Sequence, residues 1–152
     1  MELYPKPPSI ESTTDFKFLF SGSFPVYTLY VDSILGSDYN LGYKSNSPFK
    51  TIQAAFNFIK KFGGLRVTID IAAGTYIESI IFSGTLAGKI QILVNGKTDG
   101  GGLPTVIIDC AGIAGSPMGF EISFPNIDIR FTDIQVQNAY DGFNVSYWVY
   151  VG

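Results

Sequence analysis

Any chemistry in this chain falls to carboxylates, because histidine is absent and cysteine occurs once. Histidine-based triads, histidine metal sites and histidine pH switches are therefore excluded. The acidic residues on the segments read below as strands are Asp70, Glu78, Asp109, Glu121, Asp128, Asp133 and Asp141. Glycoside hydrolysis needs two carboxylates facing each other across a cleft, and the spacing singles out no such pair. Asp109 and Asp133 are separated by close to one structural repeat and are expected to sit above one another. Two carboxylates alone make a poor calcium cage, which takes about six to eight oxygens. Arg66 and Arg130 are the arginines of the β region, with no evident placement. Solvated Asp at turns is favoured over catalysis. Asp38-x-Asn40-x-Gly42 has the look of a calcium loop, but Phe49 stands where the bidentate glutamate of an EF-hand would fall. Turn chemistry of Asx and Gly accounts for those residues, leaving Asp38 and Asn40 as weak metal candidates. Cys110 ends the run Val106-Ile107-Ile108-Asp109 and reads as a buried structural thiol.

The elements that must position these side chains are mostly strands. Hydrophobic residues make up 46% of the 152 and charged residues only 15%, with 17 Gly, 13 Phe and 9 Tyr. That mixture favours strands and turns over helices. A net charge of −3 and a pI near 4.7 argue against nucleic-acid binding, which needs a basic stripe. No uninterrupted apolar stretch reaches the ~18 residues of a membrane span. The first residues do not read as a signal peptide, so synthesis in a cytoplasm without export is expected.

Residues 1–27 read as an extended, Pro-rich arm, with Phe16, Phe18 and Phe20 on one face of a short strand. Residues 28–64 read as an opening strand, a turn-rich loop and a capping helix over Pro48–Phe62. Ser47 is the expected N-cap and Pro48 the first helical residue; Phe49, Ile52, Ala55, Phe56 and Ile59 fall on one face, and Gly63-Gly64 end it. From 65 to 152, short apolar strands are expected at 67–71, 80–82, 90–94, 106–109, 120–123, 127–131, 134–136 and 143–146. Gly74, Gly84, Asn95-Gly96, Gly112, Asn126 and Asn138 mark turns. The spacing Gly74 to Gly96, and Gly112 to Ile134, suggests a repeat of about 22 residues, broken by loops at 97–104 and 113–118. A coil that small cannot bury its own inward residues. Stacked coils pair each strand above and below and merge their apolar faces.

Three stretches carry a family resemblance, the last of them Ile129-Arg130-Phe131-Thr132-Asp133-Ile134-Gln135-Val136-Gln137-Asn138, which looks like a later coil. Gly36-Ser37-Asp38-Tyr39-Asn40-Leu41-Gly42, followed by Pro48-Phe49-Lys50-Thr51-Ile52-Gln53-Ala54-Ala55, resembles the opening loop and capping helix of the pectate-lyase-like superfamily. Ile71-Ala72-Ala73-Gly74-Thr75-Tyr76 is similar to its first-coil turn, with Ala73 where Pro is usual. The resemblance spans residues 28–145 and implies a mainly all-β fold: a right-handed parallel β-helix with an N-terminal capping α-helix. It implies two functional classes. One is a phage tail fibre or tailspike component, resident in the virion, that attaches to the tail and adheres to host-surface glycan. The other is a polysaccharide lyase or depolymerase, in which Asp109 and Asp133 would hold Ca²⁺ and Arg130 would act as the base. A glycan-binding adhesin module is a third reading. The structural reading is preferred, with no catalytic residue and no resident cofactor, and with a homotrimer, other tail or baseplate proteins and host polysaccharide as partners. The β-helix of 28–152 is expected to be incomplete at its C-terminal end, where residues 147–152 are apolar on both faces.

Overall fold

The computed structural model describes residues 26–61, 66–85, 89–146 and 150–151. These hold one helix, α1 (Ile52–Ile59), and eleven strands. The strands are β1 (Val26–Val31), β2 (Arg66–Ile71), β3 (Gly74–Tyr76), β4 (Ile80–Ser83), β5 (Ile90–Asn95) and β6 (Val106–Asp109). They continue as β7 (Met118–Ser123), β8 (Ile127–Thr132), β9 (Ile134–Gln137), β10 (Asp141–Ser146) and β11 (Tyr150–Val151). All pairings between them are parallel, in three sheets ordered β1-β2-β5-β8-β11, β3-β6-β9 and β4-β7-β10. From β2 onward each strand pairs with the strand three places later, so one sheet receives a strand on every circuit of the chain. The mainly β reading holds, and so do the eight expected strands, whose ends shift by no more than one alternation of the pattern.

The period-two pattern explains why the circuits close. Val67, Ile69 and Ile71 on β2, Ile90, Ile92 and Val94 on β5, and Ile127 and Ile129 on β8 are all buried. Their register neighbours Arg66, Gln91 and Asp128 point to the opposite face. No polar or charged residue is buried among the described residues. Phenylalanines add a second seam: Phe56 lies 5.0 Å from Phe82, Phe82 stacks on Phe124 at 4.4 Å, and Phe120 lies parallel to Phe143 at 5.4 Å. Each such pair contributes about 0.5–1.5 kcal/mol beyond the area it buries.

The register corrects three expectations. The expected repeat length is met between β8 and β11, where Asp128 faces Tyr150, but Gly74 faces Val106 and not Gly96. Gly74 also opens β3, although it reads as a turn mark in the sequence. The third correction concerns Val26 and Tyr27, which belong to β1 and not to the arm; the remainder of that arm, with Phe16, Phe18 and Phe20, lies outside the described residues, as do Gly63-Gly64 and Trp148.

The helix starts later than Ser47 and Pro48 imply. Thr51 is the N-cap and its hydroxyl accepts from the Ala54 N–H. Phe49 is not on the helix; its N–H donates to the Tyr30 carbonyl at 2.9 Å, and it bridges in parallel to Val31, still buried at 3% exposure. The loop before it allows this approach only because of two glycines. A Cβ on Gly36 would lie 2.1 Å from the Phe49 carbonyl oxygen, and Gly42, at φ +72°, sits under the Phe49 ring. Ile52, Ala55, Phe56 and Ile59 then face the first strands and are fully buried.

Candidate functional site

The outward face of the β1-β2-β5-β8 sheet gathers polar groups from far apart in the sequence. Register aligns Arg66, Gln91 and Asp128 in one row, Thr68, Leu93 and Arg130 in the next, and Asp70, Asn95 and Thr132 in a third. The third row is closed on itself. The Asn95 amide donates to Asp70 at 3.2 Å, the Thr132 hydroxyl donates to Asn95 at 2.9 Å, and the Lys97 ammonium pairs with Asp70. The first two rows are open. Val26, Arg66, Thr68, Gln91, Leu93, Asp128 and Arg130 line a shallow cleft of about 390 Å³.

Inside that cleft Asp128 is the most enclosed charge, with its side chain 16% exposed. One oxygen accepts a long bond of 3.4 Å from the Gln91 amide. The other is 3.9 Å from the Arg130 Nε, beyond hydrogen-bonding distance, and has no hydrogen-bond donor among the described residues. Arg130 is 60% exposed and its guanidinium is open to a ligand. Val26 and Leu93 supply exposed apolar surface beside these groups. Two guanidinium groups against one carboxylate give the cleft a net positive charge on an acidic chain. It can accept a carboxylate through a bidentate arginine pair, bond hydroxyls through Gln91 and Asp128, and seat the apolar face of a ring.

The residues singled out by sequence do not converge. Asp109, at the end of β6, faces Gln137. It accepts from the amides of Gln137 and Asn138 at 2.9 and 2.8 Å and from the Ala111 N–H at 2.9 Å. Those bonds hold its carboxyl below the usual carboxylate range, the Asn138 amide contributing most. Asp133 occupies the corner between β8 and β9, in a left-handed conformation at φ 55°. The two aspartates thus sit at different corners and do not stack. Arg130 lies on the open face of the first sheet, in a third place. The loops inserted between strands, unequal in length, break the arithmetic that aligned them.

Asp38 and Asn40 are likewise engaged. Asp38 accepts from the Lys50 and Thr51 N–H groups at 2.9 and 2.8 Å and from the Thr51 hydroxyl at 2.8 Å, while the Asn40 amide donates to the Pro48 carbonyl at 2.7 Å. They tie the loop to the start of α1. Among the described residues no three potential ligands from His, Cys, Asp and Glu gather in one place. Cys110 is buried as expected, its thiol 3.2 Å from the Glu78 carbonyl oxygen, and burial raises its pKa. The described residues include no helix long and apolar enough to cross a membrane.

Sequence reasoning passed over Arg66, Gln91 and Asp128 as a set. The signal is the outward position of each on its strand, and it becomes visible only once the register is known. Against known proteins, the chain matches no family model, no curated protein and no solved structure.

Proposed function

We propose that the three parallel sheets are the walls of a right-handed β-helix of the pectate-lyase-like kind, and that the chain is an adhesive structural component of a phage tail fibre or tailspike. In this reading it holds host-surface polysaccharide along the outward face of its first sheet and does not cut it. The observation that carries the reading is the open cleft with Arg66, Gln91, Asp128 and Arg130 on a rigid sheet. Its mixture of cationic, hydrogen-bonding and apolar groups suits a saccharide that bears carboxylates. The dispersal of Asp109, Asp133 and Arg130 over three places supports adhesion over lyase chemistry. The acidic, aromatic-rich chain and its Pro-rich N-terminal sequence suit a homotrimer docked to other tail or baseplate proteins, in the virion.

Isothermal titration with pectate and with a neutral dextran tests the binding claim. Pectate is expected to bind and dextran not to, and the double variant Arg66→Ala/Arg130→Ala is expected to weaken pectate binding at least about tenfold, the loss of roughly 1.4 kcal/mol. Equal binding of both glycans, or an unaffected double variant, removes the cleft from the account. Release of unsaturated ends from pectate with Ca²⁺, abolished in Asp133→Ala, would establish the lyase instead. Sedimentation of a lone monomer would count against the trimer.

A further inference from the structure

Away from the first sheet, a second cleft of about 470 Å³ lies between the loop at residues 38–41 and α1. Its floor is apolar: Leu41 and Ala54 are partly buried, and Phe58, 5.9 Å from Phe49, is buried. Tyr39 also lines this cleft, yet it is fully exposed. The residues on either side of it are pinned, Asp38 to the Lys50 and Thr51 N–H groups and Asn40 to the Pro48 carbonyl. The helix opposite is held at its start by Glu78, which accepts from the Ile52 and Gln53 N–H groups at 2.9 and 3.0 Å. An aromatic ring is thus presented to solvent from a fixed position, beside an apolar floor.

Most polar groups of this cleft are spent within the chain. One oxygen of Asp38 accepts from the two backbone N–H groups and the other from the Thr51 hydroxyl. Gln53 accepts from the Ile81 N–H and donates to the Ile81 carbonyl, each at 2.8 Å, and donates once more to Asn57 Oδ1 at 3.0 Å. That last bond occupies the acceptor oxygen of Asn57 and leaves the donors on its Nδ2. Four positions on, the Lys61 ammonium is exposed and forms no ion pair among the described residues. The unspent groups on the helix wall are therefore donors. With Asp38 turned to its own loop, the charge open to a ligand there is positive.

We propose that this cleft is a second saccharide site, which takes one carboxylated pyranose ring. The C–H face of the sugar lies on Tyr39, where its hydrogens meet the negative face of the aromatic ring. One carboxylate oxygen pairs with Lys61 and the other accepts from Asn57 Nδ2, both as charge-assisted bonds. Leu41, Ala54 and Phe58 keep water from the ring's edge. The site shares no residue with the outer cleft, so it binds whether or not that cleft does.

Titration calorimetry of the full chain in the Arg66→Ala/Arg130→Ala background isolates this site from the outer cleft. Trigalacturonate is expected to bind at one site per chain, and neutral maltotriose not to bind. Tyr39→Ala and Lys61→Ala remove exposed side chains, so the fold is not at stake, and each is expected to weaken trigalacturonate at least about tenfold. Asn57→Asp keeps an oxygen for Gln53 but replaces the donors with a carboxylate oxygen, which also pairs with Lys61. Binding is expected to vanish in that variant while the melting temperature is unchanged. No binding in the double-arginine background would overturn the second site, and if wild type still binds pectate the outer-cleft reading stands. Equal binding of maltotriose, or undiminished binding in Tyr39→Ala or Asn57→Asp, would overturn it as well.

Discussion

The two ends of the stack are built from similar residues and finished in different ways. At the first end Leu29, Ile52, Phe56, Ile59 and Phe82 are fully buried. The backbone groups there have partners: Tyr30 and Asp32 bond to the loop around Gly42 and Phe49, and Ile81 bonds to Gln53. At the other end Ile134 and Val136 on β9 stand in register with Val106 and Ile108 on β6. The β6 pair is fully buried and the β9 pair only partly, while Phe143 on β10 is 46% exposed. Identical inward positions therefore carry different amounts of buried area according to what lies beyond them. In a stack of this kind a core is a property of neighbours, and a residue's type sets only the area available to bury.

The strongest way to break this comparison is to remove one phenylalanine from each end. Phe56→Ala is expected to cost about 3–5 kcal/mol, the usual range for a fully buried phenylalanine. Phe143→Ala, already half in solvent although stacked on Phe120, is expected to cost less than half as much. Urea titration monitored by circular dichroism measures both, and equal losses would mean that something covers Phe143 in solution.

A smaller effect tests the clasp at the first end. Glu78→Ala strands the Ile52 and Gln53 N–H groups and is expected to cost about 1–3 kcal/mol. The carboxyl also gives that end its own pH dependence. Burial raises the Glu78 pKa above its ordinary 4.5, against the bonds from Gln53 and Ile52 that lower it, with Asp38 nearby adding to the rise. The stability it contributes is therefore full below 4.5 and is lost as pH climbs through the raised value. Asp109 behaves in the opposite sense, its pKa lying below 3.8. Its contribution is present above 3.8 and is lost as pH falls through the lowered value. Urea midpoints between about pH 3 and 7 check the signs. Glu78→Gln is expected to flatten the decline on the alkaline side, and Asp109→Asn the decline on the acid side.

The smallest effect is expected at the outer cleft. Arg66→Ala/Arg130→Ala should change stability by no more than about 0.5 kcal/mol per site, since both side chains lie on the solvent face of the sheet. A larger loss, read by the same titration, would make those arginines structural and sharpen the contrast between the sheet's two faces.

Much of the fold was legible because inward Ile and Val alternate with polar residues, and that pattern survives without knowledge of register. β3 was hidden because a short strand that opens on glycine has no alternation to show. The helix start was misread for a local reason. Ser47-Pro48 has the composition of a cap, but Asp38 and Glu78, 13 and 26 positions away from the N–H groups they satisfy, decide where the helix begins. The candidate site was the least legible part. Gln91 and Asp128 are 37 positions apart, a wider interval than the one from Arg66 to Gln91, so no fixed spacing unites the three. Asp109 and Asp133 were grouped by the reverse error, a constant period imposed on loops of unequal length.

The parallel register has a consequence for the time course of folding. Each strand reaches its partner only after the intervening chain has made a circuit, and those circuits differ in length. The span from Val26 to its partner Arg66 is nearly twice the span from Asp128 to its partner Tyr150. Loop closure over the longer span costs about 0.5 kcal/mol more, before any contact made there offsets it. No hairpin among the paired strands offers a quick local start, which places the chain with slow, non-local folders. The pairing of β2 with β5, which closes the shorter span from Arg66 to Gln91, is a cheaper nucleus than the pairing of β1 with β2. Folding is therefore expected to begin within the stack and to dock β1 and the cap helix afterwards, so that the best-finished end of the molecule is among the last parts to form.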